Sequence, residues 1–114
     1  DVMMEDLVIP EAAERGMGIL TRETFRKGRL FEMAKEAGIE DRGLVARCAV
    51  KWGLRDPRIT AAVLGVATPG QLESNCEAAQ SLQLVDEEQG VLDAVRGTDL
   101  FNQDSARRRS SFKR

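Results

Sequence analysis

Apolar residues fall into two kinds of pattern along this chain, short unbroken runs and stripes spaced three and four apart, and the two alternate. Met17-Gly18-Ile19-Leu20-Thr21 and Ile59 to Leu64 are the unbroken runs. Each follows a Gly or Pro break and reads as a strand; the second, almost continuously apolar, reads as one covered on both faces and hence parallel. The stripes read as helices. Residues 5–15 are rich in helix formers and stop at Gly16, with Pro10 either starting the regular part or kinking it. Leu30 to Ala37 makes a short helix ended by Gly38. Asp41 caps a longer one running to about Leu54, whose Val45, Cys48, Ala49 and Trp52 mark one buried face. Pro69 to about Gln80 sets Leu72, Cys76 and Ala79 on one side, with Gln71 and Asn75 as a separate polar pair one turn apart. Val91, Leu92 and Val95 give the next helix its apolar face, Asp86 with Gln89 resembles a capping box at its start, and Gly97 ends it. From about Phe101 the periodicity fails, and residues 101–114 are expected to be a basic, disordered tail.

Helix, strand, helix, helix, strand, helix, helix is the order of an α/β arrangement with parallel strands. Two parallel strands cannot by themselves cover both sheet faces and protect both edges. Residues 1–100 therefore read as one segment of a larger assembly, completed by another chain segment or by self-association.

Composition narrows the chemistry. Hydrophobic residues make up 42% and charged residues 32%, as in soluble globular proteins. No apolar run approaches the ~20 residues of a membrane span, and the acidic start Asp1-Val2-Met3-Met4-Glu5-Asp6 is unlike a secretory leader. The net charge of −2 conceals a tail in which Arg107, Arg108, Arg109, Lys113 and Arg114 face only Asp104, so the rest of the chain is clearly acidic. An acidic body is a poor nucleic-acid surface. Cys48 and Cys76 match no metal or redox spacing and fall on apolar stripes, which predicts buried, reduced thiols and a cytoplasmic setting. The chain has no His and no Tyr, so no zinc or histidine-dependent hydrolysis and no Ser–His or Cys–His pair can be built from it.

The stretch with most chemical promise is Gly65-Val66-Ala67-Thr68-Pro69-Gly70-Gln71-Leu72-Glu73-Ser74-Asn75. It leaves a strand through glycine and enters a helix at a Thr N-cap, with Pro at the first helical position and Gln completing a capping box. Such a helix start offers free N–H groups and a partial positive charge, the ordinary seat of a phosphate in α/β folds; plain strand-to-helix punctuation is the alternative. Arg22, Arg26, Lys27 and Arg29, around Gly28, form either a solvated basic loop or a cationic lid at the end of the first strand. Gly16-Met17-Gly18 precedes a strand instead of following one and is no dinucleotide fingerprint. Arg107-Arg108-Arg109-Ser110-Ser111 has the form of a kinase-substrate or nucleic-acid tail.

Leu64-Gly65-Val66-Ala67-Thr68-Pro69-Gly70-Gln71-Leu72-Glu73-Ser74-Asn75 resembles the C-terminal cofactor motif of the aldo/keto reductases, roughly Gly-x-x-Thr-Pro-x-Gln-Leu-x-x-Asn. Ile9 to Leu20 is similar to that family's sixth barrel helix and seventh strand, Phe25, Gly28 and Leu30 match the loop after it, and Cys48-Ala49-Val50-Lys51-Trp52 resembles the helix before strand eight. The resemblance spans about residues 3–96. It implies the C-terminal part of a (β/α)8 TIM barrel, incomplete as a barrel, with two parallel strands and about five helices. It also implies NAD(P)H-dependent reduction of aldehydes and ketones. NADP(H) is the expected cofactor and NAD(H) the alternative. Gly65, Val66, Thr68 and Gln71 would face the adenosine 2′-phosphate, Ser74 and Asn75 the adenine, and Phe25 and Arg26 the pyrophosphate. Two departures stand out. No cation occupies Gly65, Ala67 or Gln71, where many relatives have one, and Glu23-Thr24 replaces the frequent Ser-Pro. The family's catalytic Asp, Tyr, Lys and His belong to the other half of the barrel, so this chain alone is expected to be inactive. The alternative is a non-catalytic, reductase-derived module that binds a nucleotide or a protein.

Overall fold

The computed structural model describes residues 4–111 and is a mixed α/β structure, mostly helical, with two parallel strands. A π-type turn over Met4–Val8 leads into α1 (Ile9–Glu14), then β1 (Leu20–Arg22), a 3-10 turn over Arg26–Gly28 and α2 (Arg29–Glu36). After these come α3 (Arg42–Leu54), β2 (Ala61–Val63), α4 (Pro69–Gln80), α5 (Asp86–Arg96) and α6 (Asp99–Ser111). Among the described residues, no helix is long and apolar enough to cross a membrane.

The sheet pairs Leu20 with Ala61, Thr21 with Ala62 and Arg22 with Val63. Both strands are shorter than their apolar runs. At the entry to β1, the Ile19 N–H donates to the Thr60 hydroxyl at 2.9 Å while the Ile19 carbonyl accepts the Thr60 N–H at 2.9 Å, so the pairing there is half side-chain and half backbone. Coverage also differs from the expectation. Leu20 is 68% exposed and Val63 61%, while Thr21 and Ala62, on the opposite face, are half-buried. α3 packs against β2, and the apolar side chains of Leu20 and Val63 are spent on a face that stays largely exposed among the described residues.

The core lies between helices. Leu30, Met33 and Ala34 of α2, Val45, Cys48 and Ala49 of α3, and Val91 and Val95 of α5 form one buried cluster, ringed by Phe25, Phe31, Ile39, Leu44, Leu92 and Phe101. The predicted stripe of α3 is thus its buried face, apart from a half-buried Trp52 whose ring lies 3.7 Å from the Arg55 guanidinium and 5.1 Å from that of Arg96. Asp41 caps α3 by accepting the Leu44 N–H at 3.0 Å. α4 packs on α3 with a different face from the one expected. Ala78 is buried, and Ser74 and Asn75 beside it are half-buried, whereas Leu72 is 52% exposed and Cys76 is exposed. Small residues allow close approach to α3, and they win over the larger apolar ones. Burial pushes the Cys48 thiol up to about 11, with the charge of Glu88 adding to it.

Two buried carboxylates join the helices. Glu88 is 1% exposed; it accepts from the Val85 N–H at 3.0 Å, from Lys51 Nζ at 2.9 Å and from Arg47 Nε at 3.0 Å. Val85 is the N-cap, and because it has no side-chain acceptor, only the Glu half of a capping box is made. The expected Asp86–Gln89 box lies one residue too late. Asp104, also buried, accepts from Arg26 at 2.8 Å, Arg29 at 3.0 Å, Arg107 at 3.3 Å and Arg108 at 3.0 Å. That cluster accounts for α6. Where a disordered tail was expected, residues 101–111 lie in a helix capped by Thr98, whose hydroxyl accepts the Phe101 N–H at 3.2 Å. The helix has no apolar stripe because charge, with Phe101 against the core, holds it down. Residues 112–114 of the expected tail lie outside the described residues.

Burial alone would raise the Glu88 carboxyl, but the hydrogen bonds from Val85, Lys51 and Arg47 outweigh it and hold it at about 2, below its ordinary 4.5. With the folded value below the unfolded one, this stabilisation is complete above pH 4.5 and fades as the pH falls towards 2. Glu88→Ala strands Lys51 in the interior and is expected to cost about 3 kcal/mol in urea unfolding at pH 7, the low end for breaking a buried pair because Arg47 is partly solvated. The gap between wild type and variant is expected to narrow between pH 4.5 and 2.

Candidate functional site

Parallel strands leave a sheet in the same direction, so the segments following β1 and β2 emerge at one end, where ligands sit in α/β folds. The segment after β2 is the more accessible. Gly65 to Gln71 are all exposed. Thr68 takes an extended backbone (φ −134°, ψ 154°) and its hydroxyl accepts the Gln71 N–H at 3.2 Å, as an N-cap does. Gln71 reaches back, but its Oε1 accepts the Ala67 N–H at 2.7 Å, one residue earlier than in a capping box. The two bonds together pin the loop to the first turn of α4. With the Ala67 and Gln71 amides taken and no N–H on Pro69, the Val66, Thr68 and Gly70 amides are left without an acceptor among the described residues. The first turn of α4 carries no acidic side chain to neutralise its positive end. The arrangement can receive an anion through amides and dipole, without a cation.

Ser74 and Asn75 follow on the same helix, half-buried on the side that carries Ala78. Six of the eight expected site residues (Gly65, Val66, Thr68, Gln71, Ser74 and Asn75) thus belong to one strand–loop–helix unit. Phe25 and Arg26 are engaged elsewhere. The Phe25 ring packs 5.6 Å from that of Phe31, and the Arg26 guanidinium lies 4.8 Å from the Phe101 ring while donating to Asp104. Burial lowers the Arg26 guanidinium from its ordinary value, against the pull of Asp104. The segment carrying them has a costly backbone: Glu23 (φ 60°), Arg26 (φ 51°) and Lys27 (φ 57°) all occupy the left-handed region that favours glycine. The Arg26–Asp104 bond is one contact that offsets the strain.

Asp104 and Glu88 were not singled out in the sequence, although a signal existed for both. Asp104 stands three and four residues before Arg107 and Arg108, the spacing of helical ion pairs. Glu88 is the third residue after the N-cap. A shallow cleft is lined by Phe31, Ala34, Ile39 and Val45 with three polar neighbours, none of them among the eight. Among the described residues no three His, Cys, Asp or Glu side chains converge as metal ligands would. No protein-family model, no curated protein and no solved structure matches the chain.

Thr68→Ala removes the N-cap bond while leaving the strand and the α3 contact in place. It is expected to lower stability in urea unfolding by about 1 kcal/mol, the usual cost of losing a Thr cap.

Proposed function

We propose that this chain is the C-terminal, nicotinamide-dinucleotide-binding portion of an aldo/keto reductase and that it grips the adenosine end of the cofactor. One observation carries the reading: an exposed, doubly pinned loop delivers the unbonded amides of Val66, Thr68 and Gly70 and the positive end of α4 to the carboxyl end of a parallel strand pair. That geometry suits a phosphate, and the residues forming it are those of the reductase-like motif Gly65–Asn75. The one-sided sheet supports the barrel reading as well. A strand pair with α3 packed against it and apolar Leu20 and Val63 exposed suits a barrel wall segment, an outer helix and an inner face awaiting more strands. The missing wall would come from another chain segment or from a second copy.

Within that reading, Gly65, Val66, Thr68 and Gln71 face the adenosine 2′-phosphate, Gly70 adds its unbonded amide, and Ser74 and Asn75 contact the adenine. NADP(H) fits the free amides; NAD(H) remains the alternative, because no cation stands among Gly65, Ala67 and Gln71 to reward the extra phosphate. When bound, the dinucleotide supplies the hydride for carbonyl reduction. This chain supplies orientation only. It lacks the Tyr and His of the family's proton-donor set. Arg26 could meet the pyrophosphate only by leaving Asp104. The two free cysteines suit a reducing, cytoplasmic setting. The absence of both proton-donor residue types favours a second reading, a non-catalytic module that binds a nucleotide or a protein.

Calorimetric titration separates these readings. NADPH is expected to bind, and Gln71→Ala to weaken it about fivefold, the loss of one neutral hydrogen bond. No turnover is expected with a panel of aldehydes. Absence of NADPH binding contradicts the cofactor reading, and turnover contradicts the assignment of proton donation to residues outside the chain.

A further inference from the structure

The end of α6 carries a feature that dinucleotide binding does not use. Ser110 and Ser111 are both exposed, and their hydroxyls donate to the carbonyls of Arg107 and Arg108 at 2.8 Å each. Ser111 is the last described residue of the helix. Its neighbours one turn back, at the i−4 and i−3 positions, are Arg107 and Arg108, two of the four arginines that hold the buried Asp104. Arg108 also lies 3.7 Å from Glu23 of the strained segment after β1. Arg108 and Arg109 stand three and two residues before Ser111, the spacing that protein kinases with acidic substrate pockets accept, and Arg109 forms no ion pair among the described residues.

We propose that Ser111 is a phosphorylation site for an arginine-directed serine/threonine protein kinase, and that the phosphate it gains draws Arg107 and Arg108 away from Asp104, takes Arg108 from Glu23 and so loosens α6 from the segment between β1 and α2. In the transfer, the Ser111 Oγ bonds to the γ-phosphorus of a nucleoside triphosphate. The bond from that phosphorus to the β–γ bridging oxygen breaks, the hydroxyl proton passes to a carboxylate of the kinase, and the nucleoside diphosphate leaves. Three physical consequences follow for this chain. The hydroxyl loses its bond to the Arg108 carbonyl. A near-dianionic group then takes the place of a neutral hydroxyl in the last described turn of the helix. It also competes, with more charge and more acceptor oxygens, for the two guanidiniums that now bond to one carboxylate. Asp104 keeps Arg26 and Arg29, so α6 stays tethered by those two ion pairs while the third that reaches outside the helix, from Arg108 to Glu23, is given up.

The test incubates the full chain with such a kinase and ATP, maps the modified residue by peptide mass spectrometry, and compares amide hydrogen exchange before and after. One phosphoryl group is expected on Ser111. It should be absent from Ser111→Ala and strongly reduced in Arg109→Ala, which removes a recognition residue without touching the Asp104 cluster. Amides of residues 99–107 are expected to exchange roughly tenfold faster, the scale of one lost charge-assisted hydrogen bond, while α3 and α5 keep their protection. No incorporation, incorporation on Ser110 alone, or unchanged exchange in α6 overturns the proposal. Neither readout involves a dinucleotide, so either result stands apart from the cofactor reading.

Discussion

The contact on which the arrangement depends is the buried Glu88 carboxylate at the start of α5, held by Lys51 and Arg47 of α3 and by the Val85 amide. α3 is the hub of the fold: α4 lies along it, α2 and α5 complete its apolar cluster, and β2 touches it. Glu88 joins α5 to that hub and ends the α4–α5 connection at a defined point, since Lys51 also donates to the Gln83 carbonyl at 3.2 Å. A buried ion pair adds little stability over a well-packed apolar pair, but it is costly to break and it fixes register. Fixing the start of α5 fixes the far end of α4, and with it the loop that α4 leaves pinned at the sheet.

A second carboxylate repeats the device on the other side. Asp104 draws four arginines together, two from α6 itself and two from the segment leading into α2. One negative charge cannot neutralise four, and burial works against its ionised form. The hydrogen bond and charge of Arg108, followed by the charges of Arg26 and Arg29, still hold its carboxyl below the ordinary value. The same bond withholds Arg26 from the strand ends. The candidate site therefore divides into an exposed half after β2 with unbonded amides and a half after β1 whose cation is already committed.

Local signals in the sequence were sufficient wherever one residue's own chemistry decides the outcome. Thr68 with Pro69 marks the start of α4, Asp41 marks the start of α3, and Val45, Cys48 and Ala49 mark a buried stripe. They failed where a partner distant in sequence decides. Nothing in Leu72, Cys76 and Ala79 says that α3 will prefer the smaller face with Ser74, Asn75 and Ala78. α6 shows no periodicity at all, because its anchor is one acid whose cations lie about seventy-five residues earlier as well as one turn later. The strands were read at the right places and in the right mutual sense. Their apolar residues, however, cannot reveal whether both sheet faces are covered within the chain. The loop after β2 was legible as a helix cap, while the backward bond from Gln71 to Ala67 depends on a turn geometry that residue types do not specify.

The central claim is that the Val66–Gln71 turn, and no other part of the chain, receives the phosphate-bearing end of a dinucleotide. Amide-resolved NMR of the isotopically labelled chain during addition of NADPH tests it most directly. Shifts concentrated at Gly65, Val66, Gly70 and Gln71, with Ser74 and Asn75 following, are the predicted result. Shifts centred on the arginines of α6 and the segment after β1, with the α4 turn unmoved, would contradict it.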